Sequence, residues 1–407
     1  MKIAFISNHL PPTVDGVGDY VYHLGQEFVQ NGHEVSVLCK ALPEIEAHFQ
    51  RNSSGIQVYP IVKSWDFSAI STLLKTLKEI RPDWVLLQYV PYSFNYFGVP
   101  YWMLALMVTL KWKRYKVGIT FHEIAIRIAF SKPKYLPISL SQRLIAYGMS
   151  LLSDVDITSV NRYIRMLRLP FKTDARKVPI GSNVFPGKEE NTPKGIVNKD
   201  YFLLCSFGSN PRKNELLLGV LQELIREGVP AKLLLLGKLK PEVKSRFETL
   251  AQEKQVSEYL ELTGYLPGEQ LFEKLQTADV FLLMEDVNSK GWGGISTKSG
   301  SLSAAYLAGL PIISTKGDMT DSFFQDQQNI LLTGTCEVQK VKELVLQLYF
   351  NPELKERLRK NARMGFEQNL SWSKIYLRYR EELGLELTQE EATKQQTIPV
   401  TTRVFSK

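Results

Sequence analysis

Short apolar stretches of strand length alternate along this chain with segments of helical spacing, and the alternation runs twice with one break. It opens with a strand at Lys2–Ser7, a Pro/Gly loop over His9–Asp19, and a helix over Tyr20–Gln30 with Val21, Leu24 and Phe28 on one face. A strand at Glu34–Cys39 follows the Asn31-Gly32 stop. Strand, helix and strand so close together form a βαβ unit, which commits the chain to a parallel sheet with right-handed crossovers. The pattern continues with strands at Ile56–Ile61, Trp84–Gln88, Lys116–Phe121, Ile157–Val160 and Lys177–Ile180. Helices fall near Ala69–Glu79 and Leu140–Leu152, with a long one between the second and third of those strands.

Residues 186–200, PGKEENTPKGIVNKD, are polar and rich in Pro and Gly, the composition of a linker. Beyond them the alternation restarts. Strands are expected at Tyr201–Gly208, Lys232–Gly237, Leu260–Thr263, Val280–Met284, Pro311–Ser314 and Leu331–Thr333. Helices are expected at Asn214–Arg226, Glu242–Gln255, Gln270–Leu275 and Val338–Tyr349. The spacing predicts two doubly wound α/β domains, residues 1–185 and 201–370, with ligands at the carboxyl ends of the strands in a cleft between them. An amphipathic helix near 371–385 completes the first domain, and residues 387–407 have too little apolar content to pack. At 407 residues the chain has room for two such cores.

Several function classes are disfavoured at once. Cys39, Cys205 and Cys336 are odd in number and widely spaced, which argues against a disulfide framework or a zinc site and fits a reducing, cytoplasmic compartment. The opening MKIAFISNHLPP is too short an apolar run for a signal peptide, and no run reaches the ~18 residues of a spanning helix. The formal charge is +8, and residues 1–190 carry most of it, with 22 Lys and Arg against 15 Asp and Glu. A basic front half suits an anionic partner, either an acidic membrane surface or a phosphorylated acceptor. Nucleic acid is disfavoured because no nucleic-acid motif is present. The segment Val99–Lys116, VPYWMLALMVTLKWKRYK, admits two readings: a helix buried against the first sheet that ends in solvated charge, or an interfacial helix end on an anionic bilayer.

The stretch Gly291–Thr315, GWGGISTKSGSLSAAYLAGLPIIST, holds the clearest local chemistry. Gly300 and Ser301 stand where a helix begins, with Leu302, Ala305 and Tyr306 at helical spacing behind them. A helix N-terminus opened by glycine suits an anion, most often phosphate, and Lys298 would add a point charge. The competing reading is an ordinary strand–loop–helix corner with a capping serine.

In its ordered blocks the chain resembles the retaining glycosyltransferases of family 4 with the GT-B fold, over roughly residues 1–385. The blocks are HLPPTVDGVGDYVYHLGQEFVQNGHEVSVL, PDWVLLQYVP, GITFHEI and KVPIGSNV, then FGSNPRKN, LLLLG, LTGYLP, TADVFLLM, LAGLPIIST and QNILL. The resemblance implies two Rossmann-like domains facing across a cleft. It implies transfer of a hexosyl group from a nucleotide-sugar to a glycan or lipid-linked acceptor, with retention and without an obligatory metal. Lys213 would pair with the leaving diphosphate, His122 would face the sugar, and Gly16 and Gly18 would let the first loop approach the donor. Ser209 and Tyr265 would join Gly300, Ser301 and Lys298 on the donor side, and Tyr89, Tyr92 and Asn95 would line the acceptor side.

The chain departs from the family at its two glutamates, whose places hold Ser296 and Ala304. Alanine cannot grip ribose hydroxyls, and serine offers only a neutral hydrogen bond. That leaves a divergent enzyme, with Lys298 and Ser301 taking over phosphate binding, or a non-catalytic nucleotide-sugar-binding relative. Asp154-Val155-Asp156 looks like a metal-binding DxD but spans a helix-to-strand junction, and Glu285-Asp286 reads equally as a solvated pair. A nicotinamide oxidoreductase is disfavoured, since GVG lacks the third glycine of GxGxxG and the second strand, VSVLCK, ends without an acidic ribose ligand. No GxSxG or Cys/His signature supports a covalent mechanism.

Overall fold

A computed structural model describes residues 1–51, 54–128, 133–168, 172, 174–186, 199–207 and 213–385. The described residues divide into two units: those of Met1–Thr158 and Leu167–Val178 with Tyr376–Leu385, then those of Ser159–Met166 with Pro179–Ile375. The expected 387–407 tail, most of the 186–200 linker and Ser209 lie outside the described residues.

In the first unit the strands are β1 (Lys2–Ile6), β2 (Glu34–Lys40), β3 (Ile56–Val62), β4 (Trp84–Tyr89), β5 (Val117–Phe121), β6 (Val155–Thr158) and β7 (Arg176–Lys177). They pair in parallel in the order β3-β2-β1-β4-β5-β6-β7. The helices of this half of the sequence are α1 (Gly16–Gln30), α2 (Pro43–Arg51), α3 (Phe67–Ile80), α4 (Trp102–Trp112), α5 (Leu136–Leu152) and α6 (Asn161–Leu167). Strand order reverses between β1 and β4, the point where doubly wound sheets open a crevice at their carboxyl edge. The central strands are apolar on both faces because helices cover both: β4 and β5 are buried at every position.

In the second unit β8 (Phe202–Phe207), β9 (Ala231–Leu236), β10 (Leu260–Leu262), β11 (Val280–Leu283), β12 (Ile312–Thr315) and β13 (Leu331–Thr333) pair in the order β10-β9-β8-β11-β12-β13, again all parallel. Around them run α7 (Asn214–Arg226), α8 (Pro241–Glu253), α9 (Gly268–Gln276), α10 (Gly300–Leu307), α11 (Val338–Phe350) and α12 (Pro352–Gly365), while α13 (Trp372–Glu382) starts in this unit and from Tyr376 belongs to the first. Alternate side chains feed two cores, one on each face. Leu204, Leu233 and Leu235 pack with α7 and α11, while Leu203, Cys205, Leu234 and Leu236 pack with α10.

Three local expectations need correction. The helix expected from Tyr20 starts at Gly16, because the Asp15 carboxylate accepts the Gly18 N–H at 3.0 Å and caps it. The strand expected at Lys177–Ile180 stops at Lys177, since Pro179 has no N–H to continue the ladder. Ile180 N–H bonds instead to Thr297 O in the second unit. Helices α2 and α12 were not expected at all.

Candidate functional site

At the carboxyl edge of the second sheet, β8, β11 and the starts of α7 and α10 enclose a cavity of about 160 Å³. Its lining includes Ser206, Phe207, Lys213, Glu285, Ser299 and Ser301. The apolar strand residues Leu282 and Leu283 form part of its wall. Each polar group arrives by a distinct route. Ser206 closes β8 with its hydroxyl on Leu282 O (2.8 Å), Lys213 precedes α7, and Glu285 follows β11. Ser299 caps α10, accepting the Leu302 N–H at 3.3 Å, so the amides of Gly300 and Ser301 in the first turn have no intrahelical acceptor. A side chain at Gly300 would meet nothing within 4 Å, which leaves the helix start open to a ligand.

The loop that brings Glu285 to α10 is fixed by glycines. A Cβ at Gly293 (φ +116) would lie 1.8 Å from Asp286 O, and one at Gly294 (φ +83) 2.4 Å from the Gly317 amide nitrogen. Only glycine permits that approach in that conformation.

Lys213 carries the positive charge of the cavity. Its ammonium lies 2.8 Å from the Asp286 carboxylate and 3.1 Å from Cys336 Sγ. Burial works against the charge, yet the hydrogen bonds the ammonium donates to Asp286 and Cys336 outweigh it and hold the lysine above its ordinary pKa. Glu285 is displaced upward, first by burial and then by Asp286, against the pull of Lys213 and Lys298. The cavity thus pairs a firmly charged cation with a carboxylate whose charge is disfavoured. Perturbation of this kind, together with helix-end amides, marks a place built for an anion.

The structure brings Lys213 and Ser301 together at this cavity, with Gly300 beside them, and it adds Ser206, Ser299 and Glu285. The sequence leaves Glu285 equally a catalytic residue or one of a solvated pair, and it does not single out Ser206 or Ser299. The signal for Ser299 was its place one residue before an N-terminal glycine. Lys298 points elsewhere, its ammonium 3.4 Å from the Tyr163 hydroxyl and 5.4 Å from that ring, though its charge still reaches Glu285. Ser296 is buried and outside the cavity lining, while Tyr265 is 72% exposed and also outside it. Ala304 sits in the core against the second sheet, where a carboxylate would be buried without a partner.

The first unit holds the remaining candidates. His122 follows β5 and is buried; its Nε2 lies 3.0 Å from Gln88 Oε1, its N–H bonds to Tyr89 O at 3.0 Å, and Tyr20 meets the ring edge-on at 5.0 Å. Tyr89 was expected on the acceptor side, but its side chain is sealed in the core, with a buried hydroxyl that has no hydrogen-bond partner among the described residues. Tyr92 is 46% exposed, and Asn95 spends its carbonyl on the amides of Phe97 (2.9 Å) and Val99 (3.2 Å). Gly18 is explained by its own chain: a Cβ there would lie 2.9 Å from His9 O, whereas Gly16 is open.

The Asp154/Asp156 pair is committed to protein donors. Asp154 accepts from Val117 N–H (2.8 Å) and the Lys111 ammonium (2.7 Å). Asp156 accepts from Ser150 and Ser153 (2.5 Å each) and from Lys172 (2.7 Å).

Comparison with known proteins is consistent with this geometry. Residues 187–364 match the model of "Glycosyl transferases group 1", and residues 14–158 match that of "Glycosyltransferase Family 4". No curated protein matches the sequence. Among solved structures, sucrose-phosphate synthase from Thermosynechococcus elongatus is similar at 16% identity, covering 95% of this chain and 100% of its own, with a TM-score of 0.67. Anabaena HepE in complex with UDP gives 13% identity, 94% and 100% coverage, and 0.70. WaaG, a glycosyltransferase involved in lipopolysaccharide biosynthesis, gives 15% identity, 94% and 100% coverage, and 0.61. At such identities the likeness establishes the fold.

Proposed function

Since this chain belongs to the glycosyltransferases of the GT-B fold, we propose that it moves a hexosyl group from a nucleotide-sugar to a glycan or lipid-linked acceptor, with retention of configuration. The observation that carries the reading is the meeting of Lys213, the only lysine in the cavity lining among the described residues, with the open N-terminus of α10. As the bond from the anomeric carbon to the diphosphate breaks, negative charge grows on the leaving oxygens. The ammonium and the Gly300 and Ser301 amides are in place to take it up without reorganising. This assignment asks nothing of a metal ion. HepE is described with UDP and with UDP-glucose, which makes UDP-hexoses the first donors to test. His122, just past the end of β5, is the first unit's own candidate for contact with a substrate. The protein acts in the cytoplasm, at the inner face of a membrane that carries its acceptor.

The burial of Ala304 and Ser296, in place of the two glutamates, favours one second reading: a nucleotide-sugar-binding protein without turnover. A single experiment separates the two. The protein is incubated with a panel of nucleotide-sugars, and slow release of nucleotide is followed for the parent and for Lys213→Ala. The proposal expects release from one donor, abolished in the variant with folding intact. Binding without release selects the second reading, and undiminished release by Lys213→Ala removes the diphosphate assignment.

A further inference from the structure

We propose that a second cavity, between the start of α7 and one side of α8, is a binding site for an uncharged sugar. It holds about 390 Å³, more than the cavity at Lys213, and falls in the range of small-molecule sites. The first turn of α7 gives it Asn214 and Glu215, and α8 gives it Glu242 and Arg246. Val243, Phe247 and Leu250, on the same side of α8, make its apolar wall.

The polar groups of this cavity are unspent. Among the described residues, Asn214, Glu215, Glu242 and Arg246 make no side-chain hydrogen bond or ion pair. Glu242 and Arg246 stand at the spacing that pairs Lys244 with Glu248 at 3.7 Å on the same helix, yet they do not pair. Asn214 is only 8% exposed. A buried amide without a partner costs free energy that a ligand recovers by bonding to it.

Charge and shape select the ligand. Two carboxylates against one guanidinium disfavour a phosphate or a nucleotide, and the guanidinium opposes a cation. A neutral polyol suits every group: carboxylates accept from its hydroxyls, the guanidinium donates to them, and the Asn214 amide does either. The apolar wall meets the C–H face of a sugar ring, whereas a wholly apolar ligand would leave Asn214 unpaired. Asn214 directly follows Lys213, so a glycan held here stays close to the donor cavity. The inference rests on the glycosyltransferase reading only in choosing a sugar as the polyol.

Saturation-transfer NMR on the full chain tests it. The probes are methyl glycosides of glucose, galactose, mannose and N-acetylglucosamine, the disaccharides maltose and lactose, and the 6-phosphates of the same monosaccharides. At least one neutral sugar is expected to bind with a Kd of about 1 mM, the affinity open to a ligand of about a dozen heavy atoms. Glu242→Ala/Arg246→Ala, at exposed positions, should weaken it at least about tenfold with the thermal transition unmoved. Asn214→Ala should weaken it too, and Lys213→Ala should not. The 6-phosphate of the sugar that binds should bind more weakly. Binding by none of the neutral sugars overturns the proposal, as does tighter binding of the phosphate. So does sugar binding that Glu242→Ala/Arg246→Ala spares or Lys213→Ala abolishes. Sugar binding by a parent that releases no nucleotide keeps this site and removes the transferase reading; release without sugar binding does the reverse.

Discussion

Glu285 keeps a carboxylate where burial, and then Asp286, disfavour its charge. Its folded pKa is raised above 4.5, so its stabilising contribution is complete only below that value. As the pH rises through the raised pKa the proton leaves, and the contribution is lost. Glu285→Gln is therefore expected to melt higher than the parent at neutral pH. The advantage should shrink on acidification and vanish below about 4.5, which thermal scans across a pH series would register. An advantage that grows on acidification would show that the carboxylate is held down by its lysines. The higher melting point of Glu285→Gln would mean a residue kept against folding stability, which points to function beside the cavity's lysine and serines.

Helix α10 joins local rules to the site. Ser299 stabilises it by capping, and the same turn presents its amides to the cavity. Asp caps a helix as well as Ser does, and the helix dipole favours its charge. Ser299→Asp should then hold stability within about 0.5 kcal/mol, yet weaken nucleotide diphosphate binding at least about tenfold by setting like charge against it. Ser299→Ala should cost about 1 kcal/mol of stability, with a smaller loss of binding. Calorimetric titration with UDP beside denaturant melts would resolve the two effects; a tight-binding Ser299→Asp protein would remove the anion from α10. Strands such as Glu34–Lys40 were legible because buried parallel strands are continuous apolar runs. Lys213 came from the family resemblance and Ser301 from the expected start of a helix, and the fold sets both beside one cavity because residues just past the carboxyl ends of parallel strands gather at one edge of the sheet. The α1 start was misjudged because two glycines hid a capping aspartate, and α12 because its face is mostly charged. Tyr89 differs from the expectation the resemblance carried because its side chain turns into the covered face of the sheet, which a family pattern does not specify. Ser206 is hidden because its role depends on a contact with Leu282, distant in sequence, whereas Ser299 carries a local signal in its place just before Gly300.

On the scale of the whole molecule, α13 lies across the division between the units: Trp372 belongs to the second and Tyr379 to the first. Trp372 donates its indole N–H to Ser182 O at 2.7 Å and packs on Gly181, where a Cβ would lie 2.6 Å from Cε2. Tyr379 is fully buried, its hydroxyl 3.1 Å from that of Tyr20 and 2.6 Å from Thr120 Oγ1. Every one of these partners lies in the same unit as the side chain it touches. Removing a buried aromatic costs about 3–5 kcal/mol, which in units of this size lowers a melting point by about 6–20 °C. Tyr379→Ala should lower the transition of the first unit and Trp372→Ala that of the second, each largely sparing the other in a calorimetric scan. If both variants lowered a single shared transition equally, the two units would melt as one cooperative body. Separate shifts would mean that one helix stabilises both sheets through different residues, and that the cavity at Lys213 keeps its stability when the first unit is weakened.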